Sequence, residues 1–175
     1  FWRCNRLNIK NLKLHGGTYP FMFCNGLRID GLESDSKYVF QYVKNMELRN
    51  AKITTKDALW ETENVTVYDS ELNGEYLGWH SRNLRLVNCH ITGEQPLCYA
   101  RDLVLENCTF GPECDRAFEY SSVHATIDSP VRSVKNPRSG RIIAESYGEI
   151  ILDKHIKAPA DCALKLRDER TCFSA

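Results

Sequence analysis

An apolar residue returns every 19 or 20 positions along this chain, each time opening the same short phrase. Leu7, Leu27, Met46, Val65, Leu84, Leu103 and a degenerate Val123 lead successive copies at intervals of 20, 19, 19, 19, 19 and 20. Asn45, Asn64, Asn83 and Asp102 stand directly before their leading residue, while Asn5 and Asn25 stand one position further back, as though one residue were inserted after the Asn. A fixed period of this length is the mark of stacked, near-identical units that bury their apolar faces only against one another.

Within each unit the leading residue and the one two positions later are apolar and the residue between is polar, the period of a strand with one buried face. Four positions after the leading residue comes a column of Asn11, Gly31, Asn50, Asp69, Asn88 and Asn107. These residue types tolerate left-handed backbone and satisfy local polar groups, so the column marks a corner. The next column, with Ala51, Ser70, Cys89 and Cys108, is mostly small, and Leu14, Ile53, Leu72, Ile91 and Phe110 point to a second short strand. Gly16, Gly74 and Gly93 supply the following bend. Leucine-rich repeats need one more apolar column upstream of the leading residue. Here that column reads Tyr42, Glu61, His80, Tyr99 and Glu119. Helical repeats fail because the alternation has period two. The pattern predicts an all-β fold, a right-handed, single-stranded parallel β-helix (a solenoid) with turns of about 19 residues.

Charge and cysteine content narrow the function classes. The 175 residues carry 23 Lys plus Arg against 23 Asp plus Glu, a formal charge of zero, so there is no basic field to hold nucleic acid. No run approaches the roughly 18 to 20 apolar residues of a membrane span. The eight cysteines, Cys4, Cys24, Cys89, Cys98, Cys108, Cys114, Cys162 and Cys172, contain no C-x-x-C pair. A structural zinc site therefore has no support, and reduced thiols packed as small hydrophobes, as in the cytoplasm, are the expectation. Cys89 and Cys108 share one inward column and are expected to be buried and stacked. The chain starts at Phe1 in the middle of a repeat, so an upstream segment with further turns and a cap is expected.

The stretch Asn64 to Phe110 with Trp60, the run Gly74, Tyr76, Leu77, Gly78 and Trp79, the step Leu97, Cys98 and Tyr99, and the run Ala117 to Ser121 continuing to Ser133–Pro137 bring a family with them. The chain resembles, from Phe1 to about Asp153, the uncharacterised bacterial domain-of-unknown-function family numbered 3737. That resemblance implies a right-handed β-helix related in shape to the pectate lyase group, longer at its N-terminus, and brings no catalytic residue with it. Residues 1–153 are read as the β-helix domain. Residues 154–175 depart from the pattern, and Ala163, Leu164 and Leu166 suggest a short capping helix or a loose tail.

Candidate chemistry lies on outward columns, where stacking brings sequence-distant side chains to about 4.8 Å. Glu61, His80, Tyr99 and Glu119 fall on four successive turns, and Glu61 beside His80 forms a candidate acid and base pair. Glu61 and Glu119 stand three rungs apart, about 14 Å, beyond the reach of a paired glycosidase. The plain alternative is a solvated polar face. A second column reads Lys37, Lys56, Glu75 and Glu94; Glu75 and Glu94 one rung apart would suit a shared ligand, unless Lys56 simply offsets Glu75. Trp79 above Trp60 offers an aromatic surface to a sugar, or fills the core. No metal cluster, cofactor motif or Ser-His-Asp constellation is present in the pattern. Three readings remain: a protein that binds or acts on carbohydrate through this outward face, a non-catalytic interaction scaffold, and an accessory domain whose active half lies upstream.

Overall fold

The computed structural model describes residues 1–154 and 161–167. Thirteen strands follow one another: β1 (Asn5–Leu14), β2 (Asn25–Ser34), β3 (Lys44–Lys56), β4 (Glu63–Tyr68), β5 (Glu71–Glu75), β6 (Arg82–Val87), β7 (His90–Thr92), β8 (Leu103–Phe110), β9 (Ser122–Ile127), β10 (Pro130–Lys135), β11 (Ser139–Ala144), β12 (Ser146–Ile151) and β13 (Asp161–Leu166). The main sheet runs β1-β2-β3-β4-β6-β8-β9-β11-β13, with β5 and β7 flanking it between β3 and β8, and β10 pairs separately with β12. All pairings among these strands are parallel. The described residues form a β-solenoid of about eight turns at the expected spacing of about 19 residues, which at strand spacing makes a rod about 38 Å long.

The leading residues stack as the periodicity predicts. Leu7 pairs with Leu27, Leu27 with Met46, Met46 with Val65, Val65 with Leu84, and Leu103 with Val123. From Leu27 to Val123 this column is buried, while Leu7, in the first turn, packs against the core only in part. Two residues on, Ile29, Leu48, Val67, Leu86 and Leu105 make a second buried column. Each buried aliphatic contributes about 1.5–3 kcal/mol, which is how a rod of thin turns holds together.

The corners use left-handed backbone as expected. Asn11, Asn50, Asp69, Asn88 and Asn107 have φ of 50, 52, 50, 53 and 50°. The side chains of Asp69, Asn88 and Asn107 form an axial ladder: the Asn88 Nδ2 donates to Asp69 Oδ1 at 2.9 Å and the Asn107 Nδ2 to Asn88 Oδ1 at 3.3 Å. Gly31 shares the corner at φ 79°, and a Cβ there would lie 2.6 Å from the Asn11 Oδ1. A second ladder links Asn83, Asn64, Asn45 and Asn25 by side-chain hydrogen bonds, each Nδ2 donating to the Oδ1 one turn back at 2.9, 3.2 and 2.8 Å.

The third side carries no strand in the first six turns; beyond Tyr120 it continues as β10 and β12, Ala117 bridging Val134. Residues 19–24, 38–43, 57–62, 76–81, 95–100 and 116–121 have positive, left-handed φ at every second residue. In the turn 76–81 these are Tyr76 (54°), Gly78 (67°) and His80 (57°). A left-handed non-glycine residue costs roughly 1–2 kcal/mol. The neighbouring rungs hold it in place: the Gly78 N–H donates to Ala58 one turn back at 2.8 Å, and the His80 N–H donates to Cys98 one turn on at 3.2 Å.

Two sequence readings are corrected. No residue is inserted after Asn5 or Asn25: Asn25 pairs with Lys44, and Arg6, Gly26 and Asn45 share the left-handed position at φ 57, 72 and 54°. The extra residue of the first interval sits at the glycine corner, where the Lys37 N–H donates to Gly17 and the Asp35 N–H to Leu14. Near the C-terminus, Asp161–Leu166 is a strand on β11 and not a capping helix, because Cys162 and Leu164 turn inward with period two. The rest of the expected tail, 155–160 and 168–175, lies outside the described residues.

The seven cysteines among the described residues are unbridged. Burial pushes the Cys98 and Cys114 thiols up to about 12. Cys89 and Cys108 are buried and stacked, and the sulfur contact between them, together with burial, drives Cys108 upward. Rapid alkylation of the folded chain at Cys89 or Cys108 would contradict this packing; labelling only on unfolding is expected. Leu84→Ala, at a position 0% exposed, is expected to lower stability by about 2–5 kcal/mol in denaturant titration. Its neighbour Arg85→Ala removes an exposed 2.6 Å ion pair with Glu106, and should cost less than about 1 kcal/mol.

Candidate functional site

The alternating backbone of the third side throws one side chain per turn outward just before the main sheet begins. Phe23, Tyr42, Glu61, His80, Tyr99 and Tyr120 occupy this position, with φ of 59, 57, 51, 57, 58 and 54°. Their N–H groups are tied to the next turn, Tyr42 to Trp60 at 2.9 Å, Glu61 to Trp79 at 2.8 Å and Tyr99 to Glu119 at 2.6 Å. The side chains therefore cannot slip out of line without breaking rungs.

Rings stack along this column. Phe23 and Tyr42 lie 4.9 Å apart at 14°, His80 and Tyr99 4.9 Å apart at 13°, and Tyr99 and Tyr120 5.8 Å apart at 33°. Glu61 interrupts the stack between Tyr42 and His80. Two residues downstream of each of these positions is a charged column, Lys44, Glu63, Arg82 and Arg101. Between the columns runs an open groove of about 490 Å³ lined by Tyr42, Lys44, Glu61, Thr62, Glu63, His80, Arg82, Tyr99 and Arg101.

Charge along the groove is uneven. Lys44 Nζ pairs with Glu63 at 2.8 Å, and that hydrogen bond holds the Glu63 carboxyl below its ordinary range. Arg82 and Arg101 are bridged backbone to backbone one rung apart. Neither forms an ion pair among the described residues, whereas Lys13–Glu33, Lys52–Glu71, Lys56–Glu75 and Arg85–Glu106 all match opposite charges across neighbouring turns.

Glu61, His80 and Tyr99 are thus brought to one groove on consecutive turns. No hydrogen bond joins Glu61 to His80 among the described residues; the imidazole instead stacks on Tyr99 and lies 5.9 Å from Trp60. Glu119 is not on this column. Its rung belongs to Tyr120, because two extra residues enter between Phe110 and Arg116 and one drops out at the Asp102 position, where Leu103 pairs with Val123 and Ser122 Oγ caps the Asp102 N–H at 2.8 Å. Glu119 is buried and its carboxylate meets Lys135 Nζ at 2.9 Å. Burial, and then the Glu119 charge, raise the Tyr99 phenol.

The second column keeps its register: Glu75 pairs with Lys56 at 3.4 Å, and the Tyr76 N–H donates to the Glu94 carbonyl, which puts Glu94 one rung past Glu75. No group of three or more His, Cys, Asp or Glu suited to a metal occurs among the described residues. Trp79 is half-buried, its Nε1 donating to Gln95 at 2.7 Å and its ring against Tyr76, Tyr99 and Trp60; it stands behind the groove. Lys44, Glu63, Arg82 and Arg101 escaped the sequence reading, although they too recur at 19-residue intervals, two positions before the leading residue.

These features define a parallel β-solenoid with a polar groove across four of its turns. A family model described as "Protein of unknown function (DUF3737)" matches residues 1–165, and the chain belongs to that family. No curated protein and no solved structure matches the chain.

The turn carrying Glu61 holds a second unpartnered acid. Asp57, 7% exposed, leaves its Oδ1 without a hydrogen bond. Burial raises its pKa above 3.8, Lys56 opposing and Glu75 adding to the shift. The folded state therefore binds this proton more tightly than the unfolded chain, so the Asp57 contribution to stability is full below about pH 4 and declines as pH rises through the raised value. Asp57→Asn is expected to raise Tm at pH 7 and to lose that advantage near pH 3.5; a constant difference across thermal melts from pH 3.5 to 7 would refute the assignment.

Proposed function

We propose that this protein is a non-catalytic binding module whose groove takes an acidic carbohydrate, recognised by charge. One observation carries the reading: Arg82 and Arg101 face the groove on adjacent rungs with no ion pair among the described residues, and Glu63, one rung before Arg82, is already engaged by Lys44. Two cations about 5 Å apart repel by about 0.8 kcal/mol even in water, and a carboxylate or sulfate lying across both guanidinium forks removes that repulsion. Stacking of sugar rings has less support, since His80 and Tyr99 cover one another's faces.

Hydrolysis also has less support. Glu119 is held by Lys135, and Glu63, held ionised by Lys44, is poorly suited to carry the proton that a glycosidase acid must donate. Ion pairs laddered along the other outward columns favour a second reading, an interaction scaffold with no small ligand. The unbridged thiols favour a reducing compartment such as the cytoplasm. No helix among the described residues is long and apolar enough to cross a membrane.

A polysaccharide array probed with the intact chain tests the reading. Uronate- or sulfate-bearing glycans should be retained, and Arg82→Ala with Arg101→Ala should weaken the best of them at least about tenfold, 1.4 kcal/mol. His80→Ala and Glu61→Gln should alter affinity while leaving Tm nearly unchanged, since outward side chains add little to the core. Retention of no glycan would leave the scaffold.

A further inference from the structure

We infer that the break in the ring stack at Glu61 is a seat for a methylated ammonium group, and that with Arg82 and Arg101 it makes the groove a receptor for a phosphocholine group. The inference rests on the groove being the ligand site and names the substituent it would select.

The argument starts from spacing. Tyr42 and His80 are two rungs apart, about 9.6 Å at strand spacing. The two ring pairs that flank the break are each spaced at 4.9 Å. A cation centred on the Glu61 rung would therefore lie about 4.8 Å from the Tyr42 and His80 rings, inside the roughly 6 Å over which the Tyr42 face attracts a cation, with the imidazole as the other wall. Subtracting the half-thickness of each ring leaves about 6 Å, room for a trimethylammonium group and more than a flat guanidinium fills. Trp60, tilted 41° at 5.9 Å from His80, stands on one flank.

The Glu61 carboxylate supplies the charge. It is exposed and has no hydrogen bond or ion pair among the described residues. Tyr42 has a stacked ring only on its Phe23 side and His80 only on its Tyr99 side, so both turn a face toward the Glu61 rung, where an acid stands between them with Trp60 tilted beside His80.

A bare cation would be repelled by Arg82 and Arg101 further along the groove. A ligand with an anionic group beside its ammonium turns that repulsion into attraction. In phosphocholine the two charges are an ethylene bridge apart, about one rung, and a phosphate suits paired guanidinium groups.

Calorimetric titration of the full chain with phosphocholine, choline and inorganic phosphate separately is the test. Phosphocholine should bind at least about tenfold tighter than either fragment. Glu61→Gln should weaken phosphocholine and choline at least about tenfold, and the Arg82→Ala, Arg101→Ala double variant should reduce phosphocholine to the level of choline. Glu61→Tyr fills the missing rung: it should keep or raise Tm, which excludes misfolding, and abolish choline binding. Co-sedimentation with phosphatidylcholine vesicles, with and without free phosphocholine as competitor, distinguishes a lipid headgroup from a soluble or glycan-borne one, and either source upholds the seat. If neither choline nor phosphocholine binds at millimolar concentration, or if Glu61→Tyr binds choline as the parent does, the seat is overturned. Failure of phosphocholine alongside binding of acidic glycans would overturn the seat alone; binding of phosphocholine with failure of every glycan would overturn the acidic-carbohydrate reading alone.

Discussion

Everything in this molecule depends on the hydrogen-bonded rung that sets one turn about 4.8 Å above the last. No single turn can bury its apolar side, so each is stable only because the next repeats it. Repetition then decides what each column may contain. Amides stack on amides, where Asn83, Asn64 and Asn45 each pass a hydrogen bond down the axis. Rings stack on rings, as with Tyr19 on Tyr38 and Phe21 on Phe40. Charges alternate, as with Lys52 against Glu71. A side chain that breaks its column is consequently conspicuous, and the groove is where two columns are broken at once, by Glu61 among rings and by Arg82 beside Arg101.

The same rungs permit the left-handed backbone of the third side. An isolated segment with positive φ at Tyr76 and His80 would be strained by a few kcal/mol and would relax. Here its N–H groups point alternately to the turn before and the turn after, so relaxing one residue would cost hydrogen bonds on both sides. That rigidity matters for binding. Side chains at Tyr42, Glu61, His80 and Tyr99 start from fixed positions, and little backbone order has to be gained when a ligand arrives.

The main sheet was legible because inward apolar residues at period two announce themselves, and the Asn corners because Asn is one of the few residues at ease with positive φ. The third side was not. Its left-handed positions are held mostly by Tyr, Phe, Leu, Glu, Gln and Arg, residues with no preference for that conformation; Asp57, His80 and Gly78 are too scattered to announce it. Glu119 was misplaced for a different reason. Two residues gained before Arg116 and one lost at the Asp102 position change the interval from Leu103 to Val123 by a single residue. An interval of 20 therefore concealed two opposite shifts, and between them the outward column moved by one, which was enough to exchange an acid for Tyr120. The arginine column went unread because charged residues at regular spacing ordinarily describe a solvated face.

Where the register shifts also bears on where a site can exist. The interval is 19 without exception from Leu27 through Leu103, and departures of one residue flank this run on both sides. Across it, outward columns stay aligned turn after turn, so that side chains 19 residues apart meet as neighbours. At the Gly16–Gly17 corner and in the Gly111–Asp115 segment the outline of the rod changes, and columns passing through those places lose their alignment, as the Tyr99 column does in part at Tyr120, whose ring is tilted 33° and 5.8 Å away. The groove, from Tyr42 to Arg101, lies wholly inside the strict run. A surface assembled from four different turns needs that strictness in a way the core does not, since a buried column accepts Met, Val or Leu in any order while a binding groove needs each charge on its own rung.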